Sequence, residues 1–172
     1  GDVDGDGIDE LIVGMNGSGG LHVVSADGEP IWKVTDIGNV WNQAVVCGDS
    51  VEQPLVFATE AGGSVKVYDA AGRALHTLRP LGRYYAQMSA AVVDDESGDV
   101  QIIAMGGGDV IAFDSGGNVS WRVEVVEGIV SWRKPCFANG DINGDGRGDW
   151  AFHETGDKIS IVSFDGKKLS TV

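Results

Sequence analysis

A chain of 172 residues is long enough for one domain with a real core, and its 42% apolar content is ordinary for a globular protein. Its formal net charge of −14 argues against nucleic acid or an anionic membrane as partner. Glycine is abundant at 27 residues and proline scarce at 4, which favours many tight turns over disorder, and no stretch is apolar for long enough to span a bilayer.

The chain opens on an acidic loop, Asp2-Val3-Asp4-Gly5-Asp6-Gly7-Ile8-Asp9-Glu10. Oxygen side chains stand at loop positions 1, 3, 5 and 9, glycines at 4 and 6 let the backbone curl, and the residue at position 7 can offer its carbonyl. Calcium prefers such a cage of hard oxygens, whereas magnesium keeps its waters. An EF-hand needs a bidentate Glu at position 12 and flanking helices. Position 12 here is Val13, inside the apolar run Leu11-Ile12-Val13-Gly14, which reads as a strand. The ninth residue, Glu10, must therefore close the cage, with Asp9 as a spare carboxylate.

A strand-turn-strand unit follows, Leu21-His22-Val23-Val24-Ser25-Ala26-Asp27-Gly28, and it returns at Val65–Gly72, Val110–Gly117 and Ile159–Gly166. The turn glycines Gly28, Gly72, Gly117 and Gly166 are 44, 45 and 49 residues apart. A period of roughly 40–50 residues with four strands belongs to a β-propeller blade. The second repeat divides into strands at Gln43–Cys47, Pro54–Thr59, Ser64–Asp69 and Ala74–Leu78. The third divides at Gln87–Val93, Val100–Met105, Asp109–Asp114 and Val119–Val125, and the fourth at Lys134–Ala138, Asp149–His153, Lys158–Ser163 and Lys167–Val172.

The acidic loop recurs in the fourth repeat as Asp141-Ile142-Asn143-Gly144-Asp145-Gly146-Arg147-Gly148-Asp149, again running into apolar residues, Trp150-Ala151-Phe152. The equivalent loops of the second and third repeats keep some acids but lack the spacing, so no tight metal site is expected there. Arg147-Gly148-Asp149 is also the tripeptide that some adhesion receptors read, but Asp149 held against a cation would be out of reach.

The predicted fold is thus all-β, a propeller of four-stranded antiparallel blades, about four in number, over residues 1–38, 41–82, 84–128 and 132–172. The first blade lacks its first strand because the chain opens inside the metal loop. The simplest expectation is a fragment of a longer chain with more blades; a four-bladed ring or closure by self-association is the alternative. No signal peptide is read at the start, though a targeting segment further upstream is compatible with this opening.

Asp-x-Asp/Asn-Gly-Asp-Gly-x-x-Asp/Glu followed by an apolar strand resembles the FG-GAP/VCBS repeats, closely over Asp2–Gly14 and well over Asp141–Phe152. That resemblance implies two calcium sites, one held by Asp2, Asp4, Asp6, the Ile8 carbonyl and Glu10, the other by Asp141, Asn143, Asp145, the Arg147 carbonyl and Asp149. Glu10 departs from the usual Asp. Val23–Trp32 and Ala112–Trp121 are similar to PQQ-like blade repeats, in which a tryptophan of the outer strand docks on the neighbouring blade; Trp32 and Trp121 are read as structural, and the quinone itself is not implied.

Little else points to chemistry. His22, His76 and His153 fall on strands of three different blades, and no Ser or Cys has a His placed by a nucleophile motif. Gly106-Gly107-Gly108 precedes a strand, so it is no phosphate loop. Cys47 and Cys136 read as small buried thiols. Asn16-Gly17-Ser18 and Asn118-Val119-Ser120 fit the glycosylation pattern. Each complete repeat enters its first strand through Trp41-Asn42-Gln43, Tyr84-Tyr85-Ala86-Gln87 or Trp132-Arg133-Lys134. Equivalent placement would ring one channel mouth with Trp41, Asn42, Tyr84, Tyr85, Trp132 and Arg133, either as blade packing or as a sugar-binding surface.

The expected function is a calcium-stabilised, non-catalytic binding or assembly module with a protein or glycan ligand, extracellular, periplasmic or on the cell surface. The alternative is the propeller part of a polysaccharide-active enzyme such as a rhamnogalacturonan-lyase-like protein, with Arg133 or Lys134 facing an acidic sugar.

Overall fold

A computed structural model describes residues 1–79, 87–106, 109–124, 137–153 and 158–172. The described residues are all-β, and fifteen strands form four antiparallel sheets. The first sheet has three strands, β1 (Leu11–Gly14), β2 (Leu21–Val24) and β3 (Pro30–Val34), so the first blade does lack its innermost strand. The second blade is β4 (Asn42–Val46), β5 (Leu55–Thr59), β6 (Val65–Asp69) and β7 (Ala74–Leu78). The third is β8 (Gln87–Asp94), β9 (Asp99–Gly106), β10 (Asp109–Asp114) and β11 (Val119–Glu124). The fourth is β12 (Phe137–Gly140), β13 (Asp149–His153), β14 (Ile159–Val162) and β15 (Lys168–Thr171). In every sheet the strands pair in chain order, the meander expected of propeller blades.

Among the described residues the sequence boundaries hold to within two residues, and the predicted ends at Val125 and Lys134 lie outside them. β4 begins one residue earlier than predicted, because the Asn42 amide donates to Thr59 Oγ1 at 2.9 Å and extends the pairing. β12 reaches Gly140 rather than ending at Ala138, because Gly140 pairs with Asp149 across the mouth of the second acidic loop.

The four repeats share one hairpin. The amides of Gly28, Gly72, Gly117 and Gly166 each donate to the carbonyl three residues back, and all four glycines have φ between 77° and 87°. Such a turn needs a left-handed third loop residue, which glycine adopts without strain. Ser25, Asp69, Asp114 and Ser163 open these turns, and a side-chain oxygen of each accepts the amide four residues on. Just past the turn each outer strand carries a bulge, skipping Ile31, Leu75, Ser120 and Leu169. The bulge twists the outer strand locally.

The chain divides into two compact units, Gly1–Tyr85 and Ala86–Val172, each with two blades. Within the first, Val3, Leu21, Val23, Ile37, Val40, Val56, Ala58 and Tyr68 form a buried core between the blades. Within the second, Val93, Ile103, Met105, Val110, Ala112, Trp121, Trp150, Phe152 and Val162 do the same.

Trp32 and Trp121 are packing residues, as expected. Trp32 of β3 donates its indole N–H to the Ala70 carbonyl at 2.8 Å and lies over Gly72 and Tyr68 of the second blade. Trp121 of β11 donates to the Phe164 carbonyl at 2.7 Å and lies over Gly166 of the fourth. A Cβ on Gly72 or Gly166 would come within 2.8 Å and 2.6 Å of the respective indole. The turn glycine therefore serves both the bend and the docking ring.

Candidate metal centre

The first acidic loop folds back on its own carboxylates. Asp2 accepts the amides of Gly5 at 2.7 Å and Gly7 at 3.0 Å, one on each oxygen. Asp4 Oδ1 accepts from the Asp6 amide at 3.2 Å, and Asp6 Oδ1 from the Ile8 amide at 2.8 Å. Glu10 is buried, and its Oε2 accepts the Val3 amide at 2.6 Å. The Glu10 amide closes the loop at its neck by donating to the Gly1 carbonyl at 3.1 Å. Gly5 and Gly7, at φ 82° and 86°, give the curl the sequence requires of them.

The second loop repeats this scaffold bond for bond. Asp141 accepts from Gly144 at 2.7 Å and Gly146 at 3.0 Å, Asn143 Oδ1 from the Asp145 amide at 2.9 Å, and Asp145 Oδ1 from the Arg147 amide at 2.9 Å. Asp149 is fully buried and accepts the amides of Ile142 and Asn143 at 3.0 Å and 3.1 Å. Gly144 and Gly146 have φ 80° and 85°.

The two loops differ at their centres. In the first, oxygens of Asp2, Asp4 and Glu10 lie within 4.8 Å of one another. Three oxygens that each sit 2.3–2.6 Å from one calcium ion must lie about that close together, so the donor set fits a hard divalent cation. Asp6, expected in the same cage, is not part of this triad. In the second loop Asn143 replaces the carboxylate of Asp4, and its amide nitrogen donates to Asp145 at 3.0 Å and Asp149 at 3.4 Å. A cation there requires that amide to turn its oxygen inward. Among the described residues, one acidic triad comes together rather than two.

The second loop is also clasped from outside. The Gly148 amide donates to the Val93 carbonyl at 2.7 Å, and the Arg147 guanidinium pairs with Asp94 at 3.4 Å and stacks on the Phe164 ring at 4.2 Å. The sequence predicts only a carbonyl role for Arg147; the signal for the clasp is the one cation among the carboxylates of this loop. Because Asp149 is buried, the Arg-Gly-Asp tripeptide is not displayed to a receptor.

Of the predicted mouth residues, Trp41 is exposed and donates its amide to the Thr59 carbonyl at 3.2 Å, and Asn42 opens β4. Tyr84, Tyr85, Trp132, Arg133, Lys134 and Cys136 lie outside the described residues. Cys47 is half-buried rather than buried, just past the end of β4 with its sulfur beside Gly1.

No family model matches the chain, and no curated protein does. Solved structures match it along nearly its whole length. The structure of BBS1N in complex with ARL6DN, soaked with mercury, aligns with a TM-score of 0.63 at 12% identity, over 95% of this chain and 49% of that one. A protein of unknown function from Bacteroides caccae aligns at 0.60 and 17% identity, over 95% and 57%, and BamB from Moraxella catarrhalis at 0.61 and 15%, over 94% and 47%. The chain therefore spans about half the length of these structures. At such identities the match carries the fold, a repeat-built propeller-like one, and no more.

Proposed function

We propose that the chain is a calcium-stabilised, non-catalytic binding or assembly module that works outside the cytosol. The observation that carries this reading is the paired acidic loop, where the same hydrogen-bonded scaffold is built twice and each copy ends on a buried carboxylate. A buried carboxylate is tolerated only when it is hydrogen-bonded or coordinates a cation. Glu10 and Asp149 each hold loop amides, and a cation would take the oxygen lone pairs that remain. Asp2, Asp4 and Glu10 would hold it in the first loop, and Asp141, Asp145, Asp149 and a turned Asn143 in the second. Asp6 and the carbonyls of Ile8 and Arg147 would complete the two shells. A bound ion supplies charge neutralisation and ties the entry of a blade's second strand to its loop; it carries no chemistry.

Extracellular modules bind calcium at about 10⁻⁴–10⁻³ M, a range matched to calcium outside cells. A fold of this kind supports a binding role for the module as a whole: one matched structure is that of BBS1N in complex with another protein, ARL6DN. The ligand class proposed here is a protein or a glycan.

The test is a thermal melt of chelator-treated protein titrated with calcium and, in parallel, magnesium. A ligand at about ten times its dissociation constant stabilises by roughly 1.4 kcal/mol per site, which moves Tm by several degrees in a domain of this size. A saturable rise with calcium and little with magnesium is the expected result. A flat titration would sink the calcium reading.

A further inference from the structure

The two acidic loops differ in charge. The first carries five carboxylates, Asp2, Asp4, Asp6, Asp9 and Glu10, and no cation. The second carries three, Asp141, Asp145 and Asp149, with Arg147 among them. At position 7 the first loop has Ile8, an exposed apolar side chain. The second has a guanidinium there, on a long stem that lets it pair with any carboxylate in reach. Asp145 is two residues away, and Asp141 lines the same cleft of about 170 Å³ as Arg147. Left to itself, Arg147 is a built-in competitor for any cation this loop would take.

The structure holds that guanidinium elsewhere. It pairs with Asp94 Oδ2, at the end of β8, at 3.4 Å, and it lies over the ring of Phe164 in the hairpin turn of the fourth blade at 4.2 Å. The backbone sets the direction, because the next amide, that of Gly148, donates to the carbonyl of Val93 at 2.7 Å. Two consecutive loop residues are thus gripped by two consecutive residues of β8. Asp94 divides its oxygens between two tasks. Its Oδ1 accepts the amides of Glu96 at 3.0 Å and Ser97 at 3.2 Å and shapes the turn after β8, while Oδ2 faces the guanidinium. The Asp94 side chain is only 17% exposed, so the pair is less screened than one between two surface groups.

We infer that Asp94 and Phe164 are positioning residues for the second calcium site: they hold the Arg147 guanidinium off the carboxylates of its own loop and leave those free for a cation. The inference rests on the calcium reading above, but it concerns residues that are not ligands. An ion pair and a cation–π contact of this kind are each modest, so losing the Asp94 partner should weaken calcium binding at the second loop by roughly three- to tenfold. The first loop has no arginine to hold and should not respond.

A calcium titration of the chelator-treated whole chain, followed by amide NMR, reads the two loops separately. Gly5 and Gly7 report the first and Gly144 and Gly146 the second, since each of these amides donates to the first aspartate of its loop. Asp94→Asn keeps Oδ1 for the turn and loses the charge that faces Arg147, so its spectrum should otherwise match wild type. It should weaken the second loop by the stated factor and leave the first unchanged. Arg147→Gln keeps the backbone carbonyl, removes the competitor and should bind calcium at least as tightly as wild type. Adding Asp94→Asn to Arg147→Gln should then change the second loop by less than about twofold. That rescue separates holding the guanidinium from the plain loss of a nearby negative charge, which would weaken binding with or without Arg147. An Asp94→Asn variant with an unchanged second loop, or an equal loss in the Arg147→Gln background, overturns the proposal while the calcium reading stands. If neither loop of the wild-type chain responds to calcium, that reading falls and this proposal falls with it.

Discussion

Position nine of each acidic loop carries a scaffold role beside its proposed role as ligand, and the two can be separated. Asp149 is buried and holds two backbone amides, whereas Asp145 is exposed and holds one, and the Asn143 side-chain amide donates to both carboxylates. Removing the Asp149 carboxylate leaves the Ile142 and Asn143 amides without their acceptor, a loss of about 0.5–1.5 kcal/mol for each bond. Asp149→Ala should therefore lower Tm in chelator as well as in calcium. Asp145→Ala should leave the chelator melt within about 0.5 kcal/mol of wild type and remove only the calcium-dependent rise belonging to that loop. Equal losses in both buffers for Asp145→Ala would show that its role is not cation binding. A second residue-scale effect concerns acid. Burial raises the Asp69 carboxyl, but the Arg73 and Ala71 amides and the Arg73 guanidinium outweigh it and hold the group below its ordinary value of 3.8. A carboxyl depressed in the folded state stabilises fully above its unfolded value, and that contribution is lost as pH falls through the folded one. Stability should fall as pH drops below about 4, and Asp69→Asn should flatten that slope in acid melts; an unchanged slope would remove Asp69 from the account.

At the scale of the element, the turn glycines report what the tryptophans contribute. Gly28 and Gly166 share φ 87°, but only Gly166 faces an indole, with a Cβ position 2.6 Å from Trp121. A side chain in the left-handed region costs roughly 1–2 kcal/mol at either site. Gly166→Ala adds an overpacking penalty of about 1–3 kcal/mol. Denaturant melts at dilute concentration should therefore rank Gly166→Ala below Gly28→Ala, and equal losses would mean that Trp121 gives way freely. These elements were legible in the sequence because they repeat. Four turn signatures at nearly even spacing fixed all four hairpins, and a tryptophan four residues after Gly28 and Gly117 identified the docking strands. The bulges at Ile31, Leu75, Ser120 and Leu169 were not legible, since no residue type marks the position in all four and the bulge arises from how the outer strand twists onto its neighbour. The loop scaffold was readable from glycine and carboxylate spacing. The clasp of Arg147 on Asp94 and Phe164 was not, because it joins residues 53 and 17 positions apart that only folding brings together.

For the whole molecule, charge decides how the cation and the solvent trade places. A net charge of −14 works against any compact state by self-repulsion, and much of it is concentrated in the two loops. Salt screens exposed charges over about 10 Å at 0.1 M, whereas a bound divalent ion neutralises its own cluster at contact. Salt and calcium should therefore relieve partly the same repulsion. Raising sodium chloride from about 0.01 M to about 0.15 M shortens the screening length from roughly 30 Å to roughly 8 Å. That change should raise the Tm of chelated protein by more than it raises the Tm of calcium-saturated protein. The comparison takes one melt at each salt concentration with and without calcium, at fixed pH. If the calcium-saturated form gains as much from salt as the chelated form, the repulsion that matters lies outside the loops. The remaining acids, Asp27, Asp49, Glu52, Asp95 and Glu96 among them, would then be the place to look for it.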